Sequence, residues 1–319
     1  MEQVYKNLLE KKYLNPPDKC QCGNKKLILS KNNRIKTLGY CFRCTKKNCK
    51  KVYSLYNNSF FEDFKYFQIK DIIEVLRCFI DYKFNSKEAK NYLGNTKNII
   101  ISENIIKKIY NKIRKYIYLY YTLEYTSEIV GSENENKYYS MDESLFTHDI
   151  NGQQLWIIGF TDNITKDFHI VLAKNREANT LEKFIRRMIP EGNNIVTDGW
   201  RGYNWIDSDD SGYRRYQHIH GHNDFGHGLE STSHIESLWS QLKSEIKGIY
   251  KTILSLNFLY FIREAEWRIK KKKSYEEKLD DFFEMFNTVI GIEEEYIYDI
   301  DFLNNEDINK IFDENENDE

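Results

Sequence analysis

Residues 195–203 read IVTDGWRGY. Ile195 and Val196 are β-branched and apolar, which suits a buried strand, and the run ends on Asp198 before a loop holding Gly199 and Gly202. A lone Asp-Gly pair marks a turn. A carboxylate at the tip of a rigid strand is also a metal ligand if partner acids reach the same place. The reading of this stretch therefore depends on what the neighbouring segments bring to it.

Upstream, KYYSMDESLF (137–146) reads as a strand, and NGQQ (151–154) supplies a hairpin turn at Asn151-Gly152. LWIIGFTD (155–162) and DFHIVLAKN (167–175) are two more strands. NTLEKFIRRMI (179–189) is an amphipathic helix capped by Asn179 or Thr180, and NNIVTDGW (193–200) is a fourth strand. YRRYQHI (213–219) reads as a fifth, short strand, and SHIESLWSQLKSEIKGIY (233–250) as a periodic helix with Ile235, Leu238, Trp239 and Leu242 on one face. Three antiparallel strands, a helix, a strand, a short strand and a helix is the order of a ribonuclease-H-like α/β domain, a mixed five-stranded sheet with helices.

That order makes the first and fourth strands neighbours, so Asp142 and Asp198 meet at the sheet centre, with Glu236 near the start of the adjoining helix. Three close carboxylates repel one another unless a cation sits among them. Two Mg²⁺ (or Mn²⁺) ions suit hard oxygen donors, and such a pair supports in-line phosphodiester displacement. Glu236, Trp239 or Ser240, and Lys243 follow helical spacing on one face, which puts Lys243 within reach of a DNA phosphate. Arg201, just after the second acid, is a further phosphate candidate. Glu143 follows Asp142 on a strand and so points to the opposite face.

Of the 319 residues, 40 % are hydrophobic and 30 % charged, and the net charge of −2 hides an asymmetry. Residues 1–120 carry about +16 and the remainder about −18, with about −11 in residues 293–319. A basic front half points to a polyanion partner. No apolar run approaches the ~20 residues of a membrane span, and the start has no apolar core of a secretory signal. The expectation is an intracellular protein, nuclear in a eukaryote and cytoplasmic otherwise, with no membrane partner.

Five of the six cysteines lie between Cys20 and Cys49. Two close pairs about twenty residues apart have the spacing of a zinc ribbon. The second pair is open between Cys41/Cys44 and Cys44/Cys49; the favoured ligands are Cys20, Cys22, Cys44 and Cys49. Residues 63–84 and 86–121 show helical spacing, with Ser86 as an N-cap and Gly94 at the turn. The second helix carries Lys107, Lys108, Lys112, Arg114 and Lys115 and reads as the basic helix of a helix-turn-helix. The expected organisation is a zinc ribbon at 1–60, a helical DNA-binding segment at 61–130, a catalytic domain at 131–275, and a helical, acidic, partly disordered tail at 276–319.

MDES, GQQLWIIGFTD, NTLEKFIRRMIP, IVTDGWRGY, HGHNDFGHG, HIESLWSQLK and LYFIREAEWRIKKK occur in the order seen in transposases of the Merlin superfamily. The chain also resembles the bacterial insertion-sequence (ISXO-type) transposases over about Cys20 to Lys273. The resemblance implies a DDE transposase that cuts and pastes at terminal inverted repeats, with Asp142, Asp198 and Glu236 as catalytic acids and His222 beside the active site. It implies double-stranded DNA, at the element's ends and at the target, as partner, and a homo-oligomer in the synaptic complex. The rival readings are a domesticated DNA-binding protein without cleavage activity and a structured nuclease acting on RNA·DNA hybrids.

Overall fold

A computed structural model describes residues 2–32, 39–126, 136–148, 154–173, 175–218, 228–246, 257–270 and 274–291. The expected turn at Asn151-Gly152 and His222 lie outside these residues. The chain forms two units: Met1–Tyr120 with Lys273–Ile292, and Tyr121–Lys272 with Glu293–Glu319. No described helix is long and apolar enough to cross a membrane.

The first unit contains α1 (Glu2–Glu10), strands β1 (Leu27–Lys31), β2 (Tyr40–Cys44) and β3 (Val52–Tyr53), and helices α2 (Ile69–Ile80), α3 (Ser86–Lys97) and the start of α4 (Glu103–Thr126). The three strands form an antiparallel sheet in sequence order. The cap of α3 is Asn85, not Ser86: the Asn85 side chain accepts from Lys87 and Glu88 N–H, and Glu88 returns a bond to the Asn85 N–H. Ser86 instead donates to Glu103 Oε1 at 3.0 Å. Gly94 lies inside α3, and the helix ends at Asn98, whose φ of 54° is left-handed. Asparagine tolerates that conformation better than most residues because its short side chain bonds locally.

The core of this unit is closed from the far end of the chain. The last described helix, α8 (Tyr275–Val289), buries Leu279, Phe282, Phe283, Met285, Phe286 and Val289. The Phe60 ring meets those of Phe282, Phe283 and Phe286 at 5.3, 6.2 and 5.9 Å between centroids, all edge-on. Residues 60–64 are a 3-10 turn that Ser59 caps, so the expected helix from residue 63 begins at Ile69.

The second unit is built on a sheet of β4 (Tyr138–His148), β5 (Gln154–Asp162), β6 (Phe168–Ala173), β7 (Asn194–Thr197) and β8 (Arg214–Gln217), in the order β6-β5-β4-β7-β8. β4, β5 and β6 are antiparallel neighbours, and β4, β7 and β8 run parallel. Parallel neighbours need a crossover, and α5 (Ala178–Met188) lies in the connection from the antiparallel strands to β7. α5 buries Leu181, Phe184, Ile185 and Met188. It starts after Glu177, so Asn179 and Thr180 lie inside it, and Thr180 Oγ1 bonds Asn175 Oδ1 at 2.7 Å.

Strand pleating divides the sheet's two faces. Met141 stands opposite Phe160 and Glu143 opposite Ile158, and the Phe160 ring meets Phe184 of α5 at 5.9 Å. Asp142 stands opposite Gly159, over which lies Trp239 of α6 (Ser233–Glu245). α7 (Asn257–Lys270) packs beside α6, and Arg263 donates to the Ile170 carbonyl at 2.9 Å.

Candidate active site and metal centre

Asp142 sits in the middle of β4, and Asp198 stands one residue past β7, which pairs directly and in parallel with β4. Thr197 and Asp198 are thus delivered by a fully buried four-residue strand, Asn194–Thr197. Asp198 Oδ1 accepts the Trp200 N–H at 2.8 Å. The turn role of this acid is therefore real, and it occupies only one oxygen: Oδ2 has no hydrogen bond among the described residues.

The loop that holds Asp198 is fixed by Arg215, whose side chain is 1 % exposed. Arg215 lies on β8 opposite Ile195. Nε donates to Thr197 Oγ1 at 2.9 Å, Nη1 to Asn204 Oδ1 at 3.1 Å and Asp207 Oδ2 at 3.0 Å, and Nη2 to the carbonyls of Asp198 and Trp200 at 3.1 and 3.3 Å. A guanidinium has five N–H donors, and each has an acceptor here. No sequence signal separates this arginine from Arg214 beside it.

Asp142 Oδ2 accepts the indole Nε1–H of Trp239 at 2.8 Å. The face of α6 that carries Trp239 therefore lies over Asp142. Glu236 is one turn earlier on that helix, three residues from Trp239, so the two share a face. Glu236 Oε1 accepts from Thr232 Oγ1 at 3.1 Å. Lys243 is exposed on α6, with Nζ 5.7 Å from the Phe146 ring centre.

The start of α6 is tied to β4 by buried polar groups that periodicity does not reveal. Ser140 Oγ lies 2.6 Å from the Ser231 carbonyl and 2.8 Å from Asn163 Oδ1. Asn163 Nδ2 donates to the carbonyls of Leu229 and Ser231 at 2.6 and 3.1 Å. Ser140 is two residues from Asp142 on the same strand, so this network sets the register between the strand of the first acid and the helix of Glu236.

Glu143 points to the other face, where burial pushes its carboxyl up to about 7; Tyr203 and Arg176 pull it down, and the charges of Asp142 and Asp198 push it further up. Arg176 Nη1 is 3.8 Å from Glu143 Oε2.

Among the described residues, only Cys20, Cys22, Cys44 and Cys49 bring their ligand atoms within 4.8 Å of one another. The three carboxylates do not. The cysteine sulfurs stand 3.6 Å apart in the pair Cys20–Cys49 and 3.7 Å apart in the pair Cys22–Cys44. Four sulfurs at a Zn–S distance of about 2.3 Å in a tetrahedron lie about 3.8 Å apart, so the cluster has the size of a zinc site. The tight Cys20-Gln21-Cys22 spacing is accommodated by Gly23 at φ 83°, whose N–H bonds back to the Cys20 carbonyl at 2.7 Å. A backbone N–H at Cys22 and the Tyr53 hydroxyl bring the Cys20 thiol down to about 6. The fifth cysteine, Cys41, is buried and turned to the Ser30 carbonyl at 3.7 Å, outside the group.

The basic residues of α4 divide. Lys107 and Lys108 are exposed. Lys112 is turned inward: it pairs with Asp63 and its Nζ lies 5.2 and 5.5 Å from the Phe60 and Phe64 ring centres. Arg114 lies over Phe79 at 5.2 Å, and Lys115 is half-buried. Lys112 and Arg114 thus contribute to packing, because they sit on the side of α4 that meets the unit's own aromatic core. Arg201 is exposed, 5.5 Å from the Trp200 ring centre. Tyr203 is fully buried.

Residues 130–270 match the family model of the ISXO2-like transposase domain, which covers β4 through α7 and supports a DDE-type transposase domain for this segment. No curated protein matches the chain. Among solved structures, it is similar to a chain of the simian T-cell lymphotropic virus intasome in complex with PP2A regulatory subunit B56 gamma, at 15 % identity and TM-score 0.34 over 46 % of this chain and 52 % of that one. The HTLV-2 integrase catalytic core domain in complex with magnesium matches at 11 % identity and TM-score 0.31, over 44 % of this chain and 90 % of that one. The BIV integrase catalytic core domain matches at 13 % identity and TM-score 0.30, over 45 % and 93 %.

Proposed function

We propose that the chain is a metal-dependent DNA transposase that cleaves DNA at terminal inverted repeats and joins the ends to target DNA. The observation that supports this reading is the parallel pairing of β4 with β7, Ser140 opposite Val196, so that Asp142 and Asp198 each follow two residues later on adjacent chains within the segment that matches a transposase domain. Asp142, Asp198 and Glu236 are the residues that would hold Mg²⁺ or Mn²⁺. The donor set fits such hard cations: carboxylate oxygens only, one of them, Asp198 Oδ2, without a hydrogen bond among the described residues. Two bound ions would supply positive charge at the attacking and leaving oxygens of the phosphodiester.

The chain's own residues hold that arrangement. Trp239 orients Asp142, Arg215 clamps the Asp198 loop, and the Ser140–Asn163–Ser231 network places the helix of Glu236. Lys243 and Arg201, both exposed, would take DNA phosphates, and the exposed Lys107 and Lys108 would offer charge to the terminal repeat. The four cysteines would hold a structural Zn²⁺ that ties the 20–23 turn, β2 and the 45–51 loop together. A homo-oligomer that synapses two ends follows from the chemistry of cutting and joining paired termini.

Magnesium-dependent cleavage of inverted-repeat DNA, with Asp198→Asn as the comparison, tests this. Loss of cleavage in the variant with DNA binding retained is expected. Equal cleavage by both proteins removes the proposed centre, and binding without cleavage in the unmutated protein favours a domesticated DNA-binding protein.

A further inference from the structure

Arg176, in the connection from β6 to α5, lies over two tryptophan rings at once. Its guanidinium carbon is 4.5 Å from the Trp156 ring centre and 4.1 Å from that of Trp200. The backbone is fixed to the same indole, since Trp200 Nε1 donates to the Arg176 carbonyl at 3.1 Å. Despite this confinement, the side chain is 37 % exposed, and none of its five N–H donors has a hydrogen-bond acceptor among the described residues. Its nearest charge is the Glu143 carboxylate at 3.8 Å, beyond hydrogen-bond length, on a side chain 1 % exposed.

A guanidinium normally finds acceptors, because its donors are costly to leave unmade. Here two flat rings hold the plane while the donors stay open. Trp200 connects this stack to the acids: its N–H binds Asp198 Oδ1. Arg201 stands on the same indole at 5.5 Å, so two cations share one aromatic plate beside Asp198.

We propose that Arg176 is a DNA-binding residue whose preorganised guanidinium takes a DNA backbone phosphate beside the Asp198 loop, at the edge of the sheet face that carries Glu143. The proposal rests on the reading of Asp142, Asp198 and Glu236 as the cleavage centre, because it is their neighbourhood that makes the ligand a phosphodiester. Planar, bidentate recognition of a phosphate is what an arginine fork does best, and aromatic stacking lowers the entropy lost when the bonds form.

The test is the salt dependence of binding to a fluorescein-labelled blunt DNA duplex, by anisotropy, with the full chain and no added magnesium. Each phosphate neutralised contributes about 0.9 to the slope of log K against log salt. Arg176→Gln should lower that slope by about 1, and Arg176→Lys, which keeps the charge, should restore it. An unchanged slope in Arg176→Gln, or an equal fall in Arg176→Lys, overturns the proposal. Asp198→Asn assayed for cleavage separates the two readings. If that variant cleaves normally while the Arg176 slope changes, the acids fail and the phosphate site stands. If cleavage is lost while the slope does not move, the phosphate site fails and the acids stand.

Discussion

Replacing Gly159 with alanine is the smallest change expected to reach Asp142. A Cβ at this position would stand 2.9 Å from Trp239 Cη2, 3.0 Å from Ile170 Cγ2 and 3.1 Å from the His169 carbonyl oxygen. The carbonyl belongs to a paired strand and the Ile170 side chain is fully buried, so the indole is what must give way. Carbon atoms rest about 3.5–4.0 Å apart, so the ring retreats by roughly 0.6–1 Å. Trp239 Nε1 holds Asp142 Oδ2 at 2.8 Å, and a retreat of that size carries the contact past ordinary hydrogen-bond length. Overpacking of this kind costs about 1–3 kcal/mol. In a domain of this size that is a fall of about 2–4 °C in Tm for each kcal/mol. The loosened acid should lower magnesium-dependent cleavage by roughly 10- to 100-fold, as a displacement near 1 Å does. Calorimetry and the cleavage assay read the two effects. Trp239→Phe removes both the obstacle and the donor, so Gly159→Ala added to it should cost less than about 0.5 kcal/mol further. A wild-type Tm for Gly159→Ala, or the same cost in both backgrounds, refutes the claim that the glycine exists to seat the indole.

Arg215→Lys leaves three rotating donors where five fixed ones are satisfied, and should lower stability by about 3 kcal/mol in urea melts, with cleavage falling alongside. A loss under about 1 kcal/mol would show that the Asp198 loop holds itself. Cys22→Ser should abolish bound zinc, measured by elemental analysis, and unfold the ribbon by circular dichroism, while Cys41→Ser keeps the metal; the reverse pattern would assign the wrong four thiols. Burial, then the charges of Lys270 and Arg263, lower His169 to about 2. The unfolded chain protonates this histidine below about 6.5 and the folded chain does not, so from pH 6.5 to 5 stability should fall as pH falls, by up to about 1.4 kcal/mol per unit. His169→Phe should flatten that slope; a slope unchanged in the variant would place its origin elsewhere.

The strands of the second unit were legible because alternating apolar residues and a buried β-branched run have few other uses. That IVT pairs beside the strand of MDES followed from the order of elements. The groups that hold the acids were not legible. Arg215, Asn163 and Ser140 act through partners as far as 18, 66 and 91 residues away, and nothing local marks them. Arg176 likewise depends on Trp156 and Trp200 arriving from two different segments. Lys112 was read as a DNA contact from its charge, yet an amphipathic helix buries some of its lysine stems, and Asp63 and Phe60 claim this one. The caps at Asn85 and Glu177 fall one and two residues before Ser86 and Asn179; at Asn85 and Ser86 the neighbouring polar residues offer a helix start equivalent cap chemistry.

The ring of Phe60 waits for Phe282 and Phe283, more than two hundred positions downstream. During synthesis the leading third of the polypeptide therefore emerges without the helix that completes its interior, and it stays unfinished until the intervening αβ segment has left the ribosome. A fragment ending before Tyr275 would expose a cluster of phenylalanines to water and invite aggregation. It follows that the first unit is completed only in a molecule whose second unit has already been made.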